Sequence, residues 1–257
     1  MAHPNYVYRI LHRPGSRARA LLNGIPLYDR VVTQNVAPSQ PVTHWLVNGE
    51  NTITVELSPA PRSPNTPSMG AHFALLILNA EDLEKKVENP VFTWEYPTSL
   101  QGLGLPLELP LVGGGVLHIP HDVPEPAYRR ALPEAFPEEG TPEQRATVLE
   151  LYDAFASRDA ARFESAMQLK VSEFERFYGP QPLSRVQALQ RLNSPWVMEP
   201  FDAHDLRFDR YADGRVAYAR RASGKPAVRA VNRDEPYLGW GSNFFMTRLD
   251  GRWRIFW

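Results

Sequence analysis

Asp202, His204 and Asp205, in the stretch FDAHDL, are the first residues able to do chemistry. Carboxylates beside an imidazole favour its charged form and can make it a general base or acid near neutral pH. The same grouping is common where a strand begins, with no reaction attached. His118 and His121, in HIPH, could ligate a metal, but Pro120 lies between them and no carboxylate cluster is near. Surface histidines are the expectation there, and no metal or cofactor is assigned. The chain carries no GxSxG, P-loop, dinucleotide fingerprint or HExxH motif, and no serine at nucleophile-elbow spacing. Cysteine is absent, which excludes disulfides, thiolate zinc sites and cysteine nucleophiles. GLGLP at Gly102 to Pro106 and the run Gly113-Gly114-Gly115 precede no helix whose amides could face a phosphate, so both are expected to punctuate strands.

The other chemistry-bearing residues sit on two stretches of the same build. LRFDRY, Asp213-Gly214 and RVAYARR follow one another, as do FFMTRL, Asp250-Gly251 and RWRIFW. An Asp-Gly pair between alternating runs predicts a hairpin, because its turn needs positive φ. Alternation places Leu206, Phe208 and Arg210 on one face and Asp205, Arg207 and Asp209 on the other. Val216, Tyr218 and Arg220 oppose Ala217, Ala219 and Arg221. Trp253, Ile255 and Trp257 oppose Arg252, Arg254 and Phe256. With the apolar sets turned toward helices, the charged sets form an outer face dense in arginine and aspartate. Arg207, Asp209, Arg221, Arg252 and Arg254 are its candidate binding residues. A solvated face whose cross-strand ion pairs contribute about a few tenths of a kcal/mol each is one outcome. A protein docking surface is the other, since interfaces are enriched in arginine and aromatics. Tyr237 and Trp240, in the aromatic stretch EPYLGWGSNFF, either belong to the core or join that candidate set as an exposed loop binding a protein partner or a small apolar ligand. Gly239 and Gly241 around Trp240 suggest a bulge or a close backbone approach.

The elements that must position these residues divide the chain. Residues 1–120 predict an all-β sandwich of seven or eight short strands separated by Gly- and Pro-rich turns. Val42 to Leu57 predicts two strands around Asn48-Gly49-Glu50-Asn51, with Ile53, Val55 and Leu57 on one face. AHFALLILN predicts a strand buried on both faces, AEDLEKKVEN a short helix or an exposed excursion, and VLHIP a strand separated by the triple glycine from LPLELPLV. Residues 121–140, with four prolines, predict a linker that Tyr128, Leu132 and Phe136 could pin to a neighbour. Residues 141–257 predict an α+β domain. Thr141, Pro142 and Gln144 write a helix start with a capping box, and Val148, Leu151, Tyr152 and Phe155 form its stripe. Asp159 caps a second helix facing inward with Phe163, Ala166 and Met167. VSEFERFYG, ending at Gly179, and LSRVQALQRL predict two more short helices before the strands.

LYDAFASRDAARFESAM, with its aromatic first helix and "-RD-" turn, resembles the opening helix pair of the NTF2-like superfamily, the cone-shaped α+β barrels. RWRIFW is similar to that family's tryptophan-rich closing strand, and the resemblance covers roughly Thr141 to Trp257. It implies a curved antiparallel sheet wrapped on helices, in a superfamily that holds enzymes and plain binding modules alike. LLNGIPL followed by WLVNGENTITVEL resembles immunoglobulin-like and jelly-roll accessory domains, with Trp45 as a core anchor.

Composition excludes little more. With 43% apolar and 22% charged residues the chain is that of a soluble globular protein, and no apolar run approaches membrane-span length. The net charge is −1, with 10 basic and 13 acidic residues up to Glu138 and 18 basic and 16 acidic after it, so no nucleic-acid partner is expected. MAHPNYVYRI has no charged start with an apolar core, so the compartment stays open: periplasm after loss of a leader, or cytoplasm. Arginine, alanine and proline usage resembles that of a GC-rich bacterium. These readings predict a non-catalytic bacterial accessory protein acting through protein–protein recognition, an immunity or inhibitor protein against a secreted toxin being one form. The rival expectations are a small-molecule enzyme with its pocket in the cone and a carbohydrate-binding sandwich using Trp45 or Trp94.

Overall fold

The computed structural model describes residues 5–60, 72–85, 89–97, 109–120, 123–180, 195–235 and 239–257, and the chain divides into two compact units, Met1–Glu125 and Pro126–Trp257. Tyr237, His121 and LSRVQALQRL lie outside the described residues.

The first unit is built on two four-stranded antiparallel sheets. One contains β1 (Tyr6–His12), β4 (Ser39–Pro41), β6 (Phe73–Asn79) and β7 (Pro90–Tyr96), in the order β4-β1-β6-β7. The other contains β2 (Ser16–Leu22), β3 (Ile25–Val31), β5 (Gly49–Pro59) and β8 (Leu111–Ile119), in the order β3-β2-β5-β8. Ring contacts of His12 and Phe73 with Tyr28 join the inner faces. Period-two alternation sets that core: Ile53, Val55 and Leu57 are buried while Thr52, Thr54 and Glu56 point away. β6 has apolar residues at nearly every position because it is central in its sheet, and Phe73, Ala74, Leu75, Ile77 and Leu78 are all buried. Asn23 and Gly24, both at positive φ, close the β2–β3 hairpin. Of the two outcomes open for AEDLEKKVEN, the short helix forms over its first residues as α1 (Ala80–Glu84), capped by the Asn79 side chain.

Two expectations fail here for local reasons. VTHWLV is not a strand: Thr43–Trp45 form one 3-10 turn with all three residues buried, and the strand starts only at Gly49. The buried Asn51 side chain enforces that break. Its Oδ1 accepts from Val47 N at 2.8 Å and Asn23 Nδ2 at 2.9 Å, and its Nδ2 donates to Val47 O at 2.8 Å and Gly49 O at 3.1 Å. The backbone of 47–49 therefore bonds to a side chain instead of to a neighbouring strand.

The triple glycine does not separate strands either. It lies inside β8, paired in unbroken register with β5. A Cβ on Gly113 would meet the Trp94 ring at 2.8 Å, and one on Gly115 would meet Phe92 at 3.1 Å. The glycines thus give the aromatics of β7 a bare backbone to pack on. Gly114, at φ +149°, faces the other way, where a Cβ would run into the Ile53 carbonyl.

The second unit begins with α2 (Ala127–Arg130) and continues through α3 (Pro142–Ser157) and α4 (Ala160–Tyr178). Its strands are β9 (Trp196–Met198), β10 (Leu206–Tyr211), β11 (Val216–Arg221), β12 (Val228–Asn232), β13 (Gly239–Ser242), β14 (Phe244–Leu249) and β15 (Arg252–Ile255). The segment expected to be a linker belongs to this unit from Pro126 onward. Tyr128 and Phe136 are buried, Glu138 O accepts from Phe208 N at 2.7 Å, and Leu132 is exposed. The capping box of Thr141 and Gln144 forms, Asp159 caps α4, and Gly179 ends it. α4 is one helix of 19 residues where two were expected, because no glycine or proline interrupts Ala160–Tyr178.

Both Asp-Gly hairpins form, as β10–β11 and β14–β15, within one sheet of order β10-β11-β14-β15. A second sheet has the order β13-β12-β9. The two meet where Asn243 alone separates β13 from β14, and β12 resumes along the line that β11 leaves at Arg221. Asn243 Oδ1 accepts from Ala227 N at 3.0 Å and its Nδ2 donates to Tyr218 Oη at 2.7 Å, bracing the bend. Val148, Leu151, Ala154 and Phe163 of the helices pack with Phe208, Ala219, Phe244, Met246, Trp253 and Ile255 of the sheet. Phe256 departs from its expected outward set. It is buried against Tyr128, whose short helix covers that position.

Gly114→Ala should cost about 3 kcal/mol, an overpacking penalty enlarged by a φ unsuited to L residues. Urea unfolding of the two proteins measures it; a change below about 0.5 kcal/mol would mean that β8 accommodates a side chain there.

Candidate anion site around Arg221

Parity decides where Arg221 goes. It ends β11 on the same side as Ala217 and Ala219, both fully buried, so its guanidinium enters the helix-facing side of the sheet. Arg221 is 4% exposed, against the expectation that it belongs to an outward charged face. Its Nη1 donates to Glu199 Oε1 at 2.9 Å, its Nε to Ala227 O at 3.4 Å, and its plane lies over the Phe201 ring at 4.5 Å. The Nη2 nitrogen is buried without a hydrogen-bond partner among the described residues. A buried donor left unpaired costs about 1–3 kcal/mol, and more on a charged group.

Glu199 is held beside β12 by its backbone, Glu199 N donating to Arg229 O at 2.8 Å. Its carboxylate receives Arg221, Lys225 at 3.1 Å and Arg229. Burial alone would raise its pKa, but hydrogen bonds from Lys225 and Arg229 hold it below the ordinary carboxylate range. The turn from Arg221 to β12 supplies Lys225, with Arg221 N donating to Lys225 O at 3.1 Å and Gly224 N to Arg221 O at 3.0 Å. Three cations thus converge on one carboxylate.

Aromatic side chains stand around this cluster. Tyr152 of α3 meets Phe201 edge-on at 5.2 Å, and Phe155 of α3 meets Trp240 of β13 at 5.1 Å. Trp240 Nε1 is a second buried donor without a hydrogen-bond partner among the described residues. Trp240 shares its strand face with Ser242, Phe244 and Met246, hence with the helix-facing side. Gly241 is needed for a close approach, as the sequence suggests, because Pro226 packs directly on it. Chemically, the arrangement offers hydrogen-bond donors and positive charge inside an apolar, aromatic setting. Its carboxylate, Glu199, is engaged by three cations.

The candidate acid–base set is elsewhere and does structural work. Asp202 Oδ1 caps the 3-10 turn Ala203–Asp205 by accepting His204 N at 2.8 Å, and Asp202, His204 and Asp205 are all exposed. On the outer face, Arg207 Nη1 donates to the carbonyls of His204 and Leu206, each at 2.8 Å. Asp209 makes a two-pronged pair with Arg220 at 2.7 and 2.8 Å, and Glu138 adds a third contact at 3.3 Å. The Asp209 hydrogen bonds raise the Arg220 pKa. Arg252 is exposed, Arg254 is half-buried, and neither has an ion pair among the described residues. His118 is exposed. Sequence reasoning missed Glu199, Phe201, Lys225 and Arg229. The available signal was the grouping of Arg221 with two alanines, which marks the buried side of β11.

A scan against protein-family models finds no match, and searches of curated proteins and of solved structures find none either.

Glu199→Gln should destabilise the fold by about 2 kcal/mol at neutral pH, since it leaves buried Arg221 without its counter-charge. The pH dependence has a definite sign. A carboxylate whose folded pKa is depressed contributes fully above its ordinary value of 4.5, and that contribution is lost as pH falls through the folded value. The difference between wild type and Glu199→Gln in urea unfolding should therefore shrink toward zero in acid; an undiminished difference there would remove the electrostatic account.

Proposed function

We propose that the second unit is a non-catalytic binding module of NTF2-like type that takes a small organic anion, a carboxylate on an apolar or aromatic body. The observation that carries this reading is the Nη2 of buried Arg221, without a hydrogen-bond partner among the described residues, within a cluster where three cations meet the one Glu199 carboxylate. A carboxylate accepts such donors in a geometry suited to guanidinium and relieves the desolvation left by Glu199 alone. Phe201, Tyr152 and Trp240 suit an apolar body beside it, and Trp240 Nε1 offers a further donor to a polar substituent. Binding is favoured over turnover because Glu199, the carboxylate beside Arg221, is engaged by three cations, while Asp202, His204 and Asp205 are exposed and Asp202 caps a 3-10 turn.

Recognition of a protein through the outer sheet face is the second reading, favoured by Arg252 and Arg254, which lack ion pairs among the described residues. That face is narrower than the alternation implies, because Asp209 and Arg220 satisfy each other and Arg221 is inside. The sugar-platform reading loses Trp45, which is buried, and Trp94 lies half-buried over Gly113.

Calorimetric titration with aryl carboxylates and their matched amides tests the anion reading. Wild type should bind the carboxylate in saturable fashion and the amide at least about tenfold more weakly, and Arg221→Met should abolish the preference. Equal affinity for acid and amide, or no binding to either, would overturn it. Capture of a protein partner that Arg252→Glu releases would then move the function to the outer face.

A further inference from the structure

Four edge strands border the sheets of the first unit, and three of them carry obstacles to further pairing. β3 contains Pro26, Asp29 and Arg30; β4 has only three residues and ends in Pro41; β7 begins at Pro90 and carries Glu95. Short length, prolines and charges are the usual means by which an edge is kept from templating another strand. β8 has none of them. It runs nine residues, LVGGGVLHI, with no Lys, Arg, Asp, Glu or Pro and an unbroken register with β5 on one side. No described strand pairs with its other side. Val112 is 70% exposed and Val116 61% exposed, and only Gly114 stands between them on that face.

The order of residues points to an occupant. Leu111 to Leu117 reads LVGGGVL, the same in both directions about Gly114. Antiparallel pairing matches residues in reversed order, so a strand that is its own reverse is complementary to itself. Centred on Gly114, the pairing sets Val112 opposite Val116 of the second copy, Leu111 opposite Leu117, and Gly113 opposite Gly115. Every pair joins like with like. The contact has two-fold symmetry, and it covers the exposed valines with each other.

We infer that β8 pairs with β8 of a second copy of this chain, centred on Gly114, joining two four-stranded sheets into one continuous sheet. One strand edge is less than the roughly 1,200 Å² of an ordinary stable interface, so the dimer is concentration-dependent.

Sedimentation of the full chain over a concentration series should show a reversible monomer–dimer equilibrium. Val116→Lys puts an ammonium at both symmetry-related positions and should weaken association roughly tenfold or more, whereas Val116→Thr, which keeps a β-branched side chain, should retain it. Circular dichroism of the lysine variant should match wild type, as the position is exposed. The natural chain has no cysteine, so register can be read directly. A mixture of Val112→Cys and Val116→Cys chains should cross-link on oxidation. Either variant alone should not, because like positions lie about 13 Å apart along the strand. A monomer at every concentration overturns the inference, as does association indifferent to Val116→Lys. So does cross-linking of Val112→Cys alone as efficient as that of the mixture.

Discussion

One carboxylate governs the second unit. Glu199 stands where β9 ends and faces three cations, one of them, Arg221, almost wholly withdrawn from water. A guanidinium in that position is tolerated only with a counter-charge beside it, since an isolated buried ion costs several kcal/mol. Arg221 in turn lies on the line where the bent sheet changes from β11 to β12, and its turn supplies Lys225 to the same carboxylate. The ion cluster and the bend are therefore one feature. Asn243 braces the strand opposite, bonding Ala227 on one side and Tyr218 on the other. Side chains, in place of a regular ladder, carry the chain across the kink.

The first unit solves a different problem by removing side chains. Two large aromatics on β7, Phe92 and Trp94, must fit between sheets, and β8 accommodates them with glycines at the facing positions. Two buried polar side chains there show how such groups are accommodated. Asn51 has partners for both its amide atoms. His12, buried between Tyr28 Oη at 2.9 Å and Ser16 O at 3.2 Å, has its pKa lowered by burial to about 4, so at neutral pH the imidazole carries no charge.

Much of the local structure was legible because its cause is local. The capping box at Thr141, the Asp159 and Gly179 caps, and the two Asp-Gly hairpins depend on residues a few positions apart, and each forms. What misled was of longer range. VTHWLV has the composition of a strand, but Asn51 ties the Val47–Gly49 backbone to a side chain. The triple glycine resembles punctuation until the rings across the sandwich are known. The proline-rich stretch from Pro126 resembles a linker although Tyr128 and Phe136 bury themselves, at positions sequence spacing singled out together with the exposed Leu132. For the site, alternation sorted the faces of β10, β11 and β15 and then met one ambiguous residue. Arg221 has the parity of a core position and the chemistry of a surface one.

That ambiguity is where a functional argument gains most. Residues that follow the rules of burial explain folding, whereas a charged group that violates them must be compensated, and here the compensation is incomplete. Glu199 meets one nitrogen of Arg221 and the Ala227 carbonyl meets another, leaving Nη2 buried without a hydrogen-bond partner among the described residues. Leucine or methionine at 221 would have packed against Phe201 without this cost. Keeping an arginine there is consistent with a charge that an incoming anion completes, and it distinguishes this position from Arg220, whose two-pronged bond to Asp209 leaves nothing to be supplied. Of the two neighbouring arginines, Arg220 is turned out and fully engaged by Asp209, while Arg221 is turned in with one nitrogen unpartnered among the described residues, and it is on Arg221 that the proposed anion site rests.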